Sequence, residues 1–332
     1  MFSKDIGIDL GTANVLIYIK DQGIVLNEPS VVAIERETKK VVATGKEASI
    51  MVGRTPGKLK AIKPMKDGVI ADSEIAQIML SEFIKKIKIN NIFSKPRILI
   101  CCPSNITQVE KDTLRETAEE MGARKVYIEE ESKVAALGAG LDIYEAKANM
   151  IVDIGGGTTD IAILSLGDIV LSDSIKVAGN AFDRDIINAI KEKYKLLIGE
   201  KTAENIKISF TNILNPDKKL KLEVRGRNLI TGLPDIIEIN QLEVKEALQK
   251  SIDQITKAIT NILEKTPPEL SGDIVDTGIV LTGGGSLLTG LSEVLEEELK
   301  VPVLIAKDPL TCVAEGTGKL LENSKFKHKS ND

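Results

Sequence analysis

The chain has 332 residues, 42% hydrophobic and 28% charged, which suits a globular protein of one large or two medium domains and argues against bulk disorder. Its net charge of −5 argues against a nucleic-acid binder working through a broad cationic face. The single histidine, His328, lies in the last few residues, which leaves no basis for Ser-His-Asp, Cys-His or His-zinc chemistry. With 3% aromatics and no Trp, the core must be built from Ile, Leu, Val and Ala.

In chain order, Met1-Phe2-Ser3-Lys4-Asp5 reaches charge too early for a signal peptide. Ile6–Leu10 reads as a strand, Gly11-Thr12 as a turn and Val15–Ile19 as a returning strand, so the two must be antiparallel neighbours. After Asp72-Ser73, Ile75, Ile78, Met79, Phe83, Ile84 and Ile87 recur at helical spacing. Arg97–Cys102 is a strand stopped by Pro103, and Thr107 with Glu110 reads as a capping box opening the next helix. Cys101, Cys102 and Cys312 form no CxxC and read as buried thiols in a reducing compartment.

The same grammar then starts again. Met150–Ile154 is an apolar strand with Asp153 near its end, followed by Gly155-Gly156-Gly157-Thr158-Thr159 and the returning strand Ile161–Leu164. Asp9 and Asp153 are 144 residues apart, which implies an internal duplication: two domains of one fold facing each other, in an α/β class. Leu248, Ile252, Ile255, Ile259 and Ile262 keep a near-heptad seam, too short for a coiled coil and read as a core helix ended by Pro267-Pro268. No apolar run approaches the roughly 18 residues of a spanning helix, so the protein is expected to be cytosolic, touching a membrane at most. The tail from Ser324 is polar and basic.

Backbone N–H groups can hold a phosphate chain where no side chain intervenes, which is what glycine permits. Three loops qualify: Gly11-Thr12-Ala13-Asn14, Gly155-Gly156-Gly157-Thr158 and Gly283-Gly284-Gly285-Ser286. Two of them follow a strand bearing an Asp, and two carboxylates beside a polyphosphate suit Mg²⁺ held through its waters. Other nucleotide grammars fail. Gly53-Arg54-Thr55-Pro56-Gly57-Lys58 is one residue short of a P-loop and meets Leu59, and no GxGxxG opens a helix after a strand.

The phrases Asp9-Leu10-Gly11-Thr12-Ala13-Asn14, Asp153-Ile154-Gly155-Gly156-Gly157-Thr158-Thr159-Asp160 and Leu281-Thr282-Gly283-Gly284-Gly285 resemble the two phosphate motifs and the adenosine motif of the actin, Hsp70 and sugar-kinase superfamily. Gly23–Val32, Gly53–Gly57, Lys66–Asp72, Leu197–Glu204 and Asp308–Ala314 narrow the resemblance to MreB, the bacterial actin, over residues 5 to about 322. The Ile- and Lys-heavy composition fits an AT-rich bacterial genome, and the resemblance extends to MreB proteins of wall-less bacteria.

The resemblance implies an actin-like ATPase fold: two duplicated RNase H-like domains, each with a smaller subdomain, and ATP/ADP with Mg²⁺ in the cleft between them. Its subdomains would be 1–32, 67–146 and 309–325 (IA), 33–66 (IB), 147–180 and 241–308 (IIA), and 181–240 (IIB), with 326–332 a basic tail. Gly11, Thr12, Ala13 and Asn14 would grip the phosphates from one side and Gly155, Gly156 and Gly157 from the other. Asp9 and Asp153 would hold the metal's waters. Glu204, Lys207, Gly283, Gly284 and Gly285 would take the ribose and adenine side. Glu131 and Thr158 would position the attacking water.

The family reads Glu-Pro where this chain has Glu131-Ser132-Lys133. Losing Pro frees a φ angle that helps aim the Glu, and Lys133 is placed to pair with Glu131 or a phosphate. The expected activity is therefore a weak Mg-dependent ATPase.

The loop Asn90–Pro96 puts Ile92 and Phe93 between polar residues. By resemblance these two enter the anionic inner face of the cell membrane, with the basic tail as a weaker anchor. The family implies head-to-tail protofilaments paired antiparallel, governing cell shape or, in a wall-less cell, movement. Paralogues or a membrane adaptor are further implied partners; nucleic acid is not. An Hsp70-like chaperone would need a β domain after the ATPase, and a sugar kinase an Asp base and a polar sugar pocket that the first domain lacks. A plasmid-segregating actin is a nearer alternative, opposed by the phrase at 23–32. A filament that binds ATP with little turnover is another.

Overall fold

The computed structural model describes residues 5–87, 96–103, 106–120 and 122–322. In the first lobe β1 (Ile6–Leu10) and β2 (Asn14–Ile19) form the antiparallel hairpin their short turn requires, with β3 (Gly23–Pro29) beside β2. A small sheet follows, of β4 (Val32–Glu35), β5 (Val41–Thr44) and β6 (Leu59–Ile62), with α1 (Lys46–Ile50) between the last two. A short hairpin, β7 (Met65–Lys66) and β8 (Val69–Ile70), leads to α2 (Ser73–Lys86). The lobe ends with β9 (Arg97–Cys102), α3 (Gln108–Glu120), β10 (Lys125–Glu130) and α4 (Glu131–Gly138).

The second lobe opens with β11 (Asn149–Ile154), β12 (Thr159–Ser165) and β13 (Asp168–Ile175). Next come α5 (Gly179–Tyr194), β14 (Leu196–Leu197), α6 (Glu200–Phe210) and the hairpin β15 (Lys221–Asn228) and β16 (Pro234–Asn240). The long α7 (Gln241–Lys265) is followed by α8 (Pro268–Thr277), β17 (Ile279–Thr282) and a 3-10 turn at Gly284–Leu287. Last are α9 (Leu291–Leu299), β18 (Val303–Ile305) and α10 (Cys312–Glu322).

The two large sheets share one topology. Their orders are β3-β2-β1-β9-β10 and β13-β12-β11-β17-β18. In each, the first three strands are antiparallel and the last two join the central strand in parallel. β1, β11 and β12 are buried at every position, as strands covered on both faces must be, and so read as unbroken apolar runs.

Local signals agree with the elements. Asp72 caps α2 by accepting from the Ile75 N–H at 3.1 Å. Thr107 and Glu110 exchange the two hydrogen bonds of a capping box. The seam Leu248, Ile252, Ile255, Ile259 and Ile262 is wholly buried in the second lobe's core, so α7 is a core helix, each Ile contributing about 1.5–3 kcal/mol by burial.

A third cluster joins the lobes: Leu99 and Cys101 of β9, Ile151 of β11, Leu164 of β12, and residues of α4 and α10. The two helices cross at backbone contact. A Cβ on Gly138 would overlap the Cys312 carbonyl, and one on Gly316 the Val134 carbonyl. All three cysteines are free and buried.

Candidate functional site

Asp9 and Asp153 stand near the C-terminal ends of the two central strands, where parallel strands of an α/β sheet deliver side chains to a ligand. Both are buried. Burial, and then the charge of Asp153, push the Asp9 carboxyl up to about 8. Asp153 is pushed up to about 7 by burial and then by Asp160, while a hydrogen bond from the Thr282 hydroxyl (3.0 Å) pulls it down. Asp9 Oδ1 is buried without a hydrogen-bond partner among the described residues. A buried carboxylate oxygen left this way calls for a donor or cation from a ligand.

The two glycine loops face each other at close range. A Cβ on Gly156 would lie 2.8 Å from the Ala13 Cβ, and one on Gly157 would lie 2.6 Å from the Thr12 Oγ1. The Ser30 hydroxyl donates to the Gly11 carbonyl at 2.7 Å and the Ser30 N–H to Ala13 at 2.9 Å, which ties down the turn before Asn14 starts β2. The Gly155 and Gly156 carbonyls accept from the N–H groups of Gly179 and Asn180 at 3.1 and 2.8 Å, anchoring the second loop to α5.

Sequence reasoning assigned no role to the turn Asp67-Gly68. Both residues have positive φ, 48° and 76°, as a tight two-residue hairpin requires. Its tip enters the site: the Gly68 N–H donates to the Thr12 Oγ1 at 3.1 Å, and a Cβ on Gly68 would collide with Thr158. The Asp-Gly pair between the short stretches Met65–Lys66 and Val69–Ile70 was the available signal.

Lys207 donates to the Gly179 carbonyl at 3.0 Å and pairs with Asp183 at 2.9 Å, beside the second loop. Asp183 is a residue the sequence reading missed; nothing distinguishes it from any other acid in an amphipathic helix. Glu204, on the same face of α6, pairs with Lys201 at 2.6 Å. Gly283 has φ of 78°, and a Cβ there would overlap the Ile154 carbonyl and approach the Asp153 carboxylate; one on Gly285 would overlap Ile154. Beside Gly284, Leu310 and Leu287 leave about half their surface in solvent.

Glu131 opens α4 directly after β10. Burial and then the charges of Asp153, Asp9 and Asp160 raise its carboxyl well above the usual range, so three of the four carboxyls belong to sequence-predicted positions and feel one another. Thr158 is buried next to Gly68. Ser132 is fully buried with its hydroxyl unpartnered among the described residues. Lys133 departs from expectation: its ammonium pairs with Asp168 across the lobes at 3.4 Å, because the first turn of α4 aims it at the β12–β13 turn, and it faces neither Glu131 nor the loops.

Among the described residues no three His, Cys, Asp or Glu side chains are placed to ligate a metal directly. Ile92 and Phe93 lie outside the described residues, as does the basic tail. A cavity of about 680 Å³ between α5 and α7 lies apart from the carboxylates and glycine loops. No helix of the described residues is long and apolar enough to cross a membrane.

The family model described as MreB/Mbl protein matches residues 3–329. The chain is 58% identical over 323 residues, 97% of each chain, to the cell shape-determining protein Mbl of Bacillus subtilis strain 168. The crystal structure of MreB 5 of Spiroplasma citri bound to AMPPNP superposes with a TM-score of 0.94 at 44% identity, covering 100% of this chain and 99% of that one. A MamK double helical filament matches with a TM-score of 0.81 at 25% identity, over 97% and 99% of the two chains.

Proposed function

The chain belongs to the MreB/Mbl family of actin-like ATPase folds, and from that premise we propose that it binds ATP between its lobes, hydrolyses it slowly and polymerises into membrane-associated filaments that govern cell shape or motility. The observation carrying the ATP site is the meeting of the two Asp-tipped glycine loops at Ala13 and Gly156, with an unsatisfied carboxylate oxygen on Asp9. A relative 44% identical binds AMPPNP, which supports the same ligand class here.

In this reading the backbone N–H groups of Gly11–Asn14 and Gly155–Gly157 hold the β- and γ-phosphates. Gly283–Gly285, Glu204 and Lys207 hold the nucleoside, with Leu287 and Leu310 as apolar walls for the base. Asp9 and Asp153 fit Mg²⁺ through its waters: they repel each other without a cation, and their elevated proton affinities fall when one is supplied. The metal neutralises phosphate charge when bound.

Glu131, a carboxylate of raised basicity, accepts the proton of a water attacking the γ-phosphorus, and the Thr158 hydroxyl orients that water. The bond from the γ-phosphorus to the bridging oxygen breaks, leaving ADP and phosphate. The hairpin tip at Asp67-Gly68 closes the site over Thr12 and Thr158 and excludes bulk water.

Turnover stays slow because the residue after Glu131 is Ser132, whose flexible φ aims the carboxylate less firmly than a proline would. A filament that binds ATP with little turnover is the second reading, favoured by that same residue and its unpartnered hydroxyl. Ile92 and Phe93 enter the anionic inner membrane face. The lobes divide into four subdomains, with the sheets at 32–62 and 196–240 as the smaller ones.

Pelleting with and without Mg-ATP, together with phosphate release, tests the core of the proposal. ATP-dependent pelleting with measurable phosphate is expected. ATP-dependent pelleting without phosphate selects the second reading, and phosphate transfer to a sugar would end both. An Ile92→Ser, Phe93→Ser variant should lose most co-sedimentation with anionic liposomes; unchanged binding removes that loop.

A further inference from the structure

A cation in the first turn of a helix is badly placed by local rules, because the unpaired N–H groups there favour anions. α4 carries one: Lys133 is its third residue, and the side chain is only 15% exposed. A charge that covered calls for a counter-charge. The ammonium finds it on the other lobe, at the Asp168 carboxylate 3.4 Å away.

Asp168 is held in place independently of Lys133. Its Oδ1 accepts from the Ile169 N–H at 3.0 Å. Ser165 and Asp168 face each other across a two-residue turn, and Leu166 and Gly167 have φ of 54° and 83°, as that turn requires. The Leu166 N–H donates to the Glu145 carbonyl at 3.0 Å and the Gly167 N–H to the Ile143 carbonyl at 2.7 Å. The turn is a rigid post of the second lobe, although the carboxylate it presents is 76% exposed.

The rest of α4 is pinned by other contacts. Val134 and Gly138 meet α10 at backbone contact, and the Lys319 ammonium of α10 donates to the Leu137 and Gly138 carbonyls at 2.8 and 3.2 Å. Val134, Ala135, Ala136 and Leu137 are buried in one cluster with Ile151, Ala162 and Leu164 of the second lobe. The first turn has less to hold it. The Glu130 side chain makes no capping bond, and the buried Ser132 hydroxyl has no partner among the described residues. That turn begins with Glu131.

We propose that the Lys133–Asp168 pair aims the Glu131 carboxylate, supplying from the second lobe the restraint that Ser132, with its free φ, does not. Lys133 is a positioning residue. It faces neither the glycine loops nor Glu131, and it acts by holding the turn on which Glu131 sits against the lobe that carries Thr158. Proline after Glu131 would lock φ at about −65° within the chain itself, which the first turn of a helix tolerates. The ion pair restrains the same turn through space and less firmly. The inference rests on the hydrolytic reading above and adds a residue to it.

The test uses the full chain and measures single-turnover phosphate release beside the affinity for a fluorescent ATP analogue. Lys133→Met keeps the buried stem, and Asp168→Asn keeps an acceptor for the Ile169 N–H, so each removes the charge pair and little else. Each should slow release about two- to fivefold, the range a part-exposed pair can supply, with analogue affinity unchanged. The double variant should be no slower than either single one, and Lys133→Arg should keep most of the rate. Ser132→Pro should quicken release, and beside it Lys133→Met should cost nothing further. Unchanged release in both single variants, additive losses in the double one, or a Lys133→Met loss that persists beside Ser132→Pro would each overturn the proposal. Analogue affinity that falls as far as the rate would show the pair holding the lobes together instead of aiming the carboxylate, and would overturn it too. Glu131→Ala tests the reading beneath. If that variant releases phosphate normally, the catalytic assignment falls and the aiming role with it; if it is inactive while Lys133→Met is as fast as wild type, only the aiming role falls.

Discussion

The second lobe holds its carboxylate and the first lobe leaves its own free, although both sheets have the same strand order and the same Asp-then-glycine turn. Asp153 accepts a hydrogen bond from Thr282 on the neighbouring parallel strand and has Gly283 against it. Asp9 has Cys101 in register on its parallel neighbour, a thiol whose own proton affinity burial raises far above ordinary, and its Oδ1 has no donor. A duplicated scaffold has thus been specialised: one copy is a rigid cradle, the other a set of carboxylates waiting for positive charge.

The largest effect should come from breaking the cradle. Gly283→Val puts a branched side chain where φ is 78° and where the first added carbon already overlaps Ile154. Strain of about 3 kcal/mol or more is expected, with ATP affinity lost in a fluorescence titration. Gly11→Ala in the first lobe meets the Asn14 carbonyl at 2.7 Å and should weaken binding less. Equal losses would mean the two loops are not specialised.

On the other side of the comparison, Glu131→Ala removes the carboxylate placed to accept a proton. Phosphate release should fall about 10²- to 10⁴-fold while the affinity for ATP holds. An unaltered rate in a phosphate assay would remove Glu131 from the mechanism.

The two buried carboxyls of the site also set a pH dependence. Asp9 and Asp153 hold their protons in the folded chain up to about 8 and 7, against an ordinary Asp value near 4. Between those limits the folded state binds more protons than the unfolded one, so stability without ligand should fall as pH rises from about 4 to about 8. Thermal melts across that window should show the decline, Asp9→Asn should shallow it, and Mg-ATP should flatten it. A melting temperature that rises with pH throughout would show that burial does not hold protons on these carboxyls.

Much of this was legible in the sequence, for reasons particular residues make plain. Strands such as Ile6–Leu10 and Asn149–Ile154 are buried on both faces and so betray themselves as apolar runs, and the Asp-Gly-Thr phrases are contiguous. The role of the tip at Asp67-Gly68 is not legible locally, because its contact with Thr12 spans 56 positions of sequence. Asp183 and Thr282 act through partners on other elements, which no local pattern encodes. Lys133 was read by proximity in sequence to Glu131, whereas side chains two apart on a helix point to different faces; hence its actual partner, Asp168.

The smallest effect concerns the mouth between the lobes, where Lys63 beyond β6 reaches Glu200 at the start of α6 at 2.7 Å. Both side chains are about half exposed, so the pair should contribute under about 1 kcal/mol and fade as salt screens it. Lys63→Ala should therefore leave the melting temperature almost unmoved. Yet the pair joins the segment just after β6 to the start of α6 across the lobes, and a second, longer pair joins Arg184 to Asp67 at 3.8 Å. Opening the mouth must break whatever spans it, so nucleotide dissociation should quicken a few-fold at low salt and match wild type at high salt. If stopped-flow release is identical at both ionic strengths, the lobes are held by the buried α4–α10 crossing alone, and the closed mouth is a consequence of that crossing.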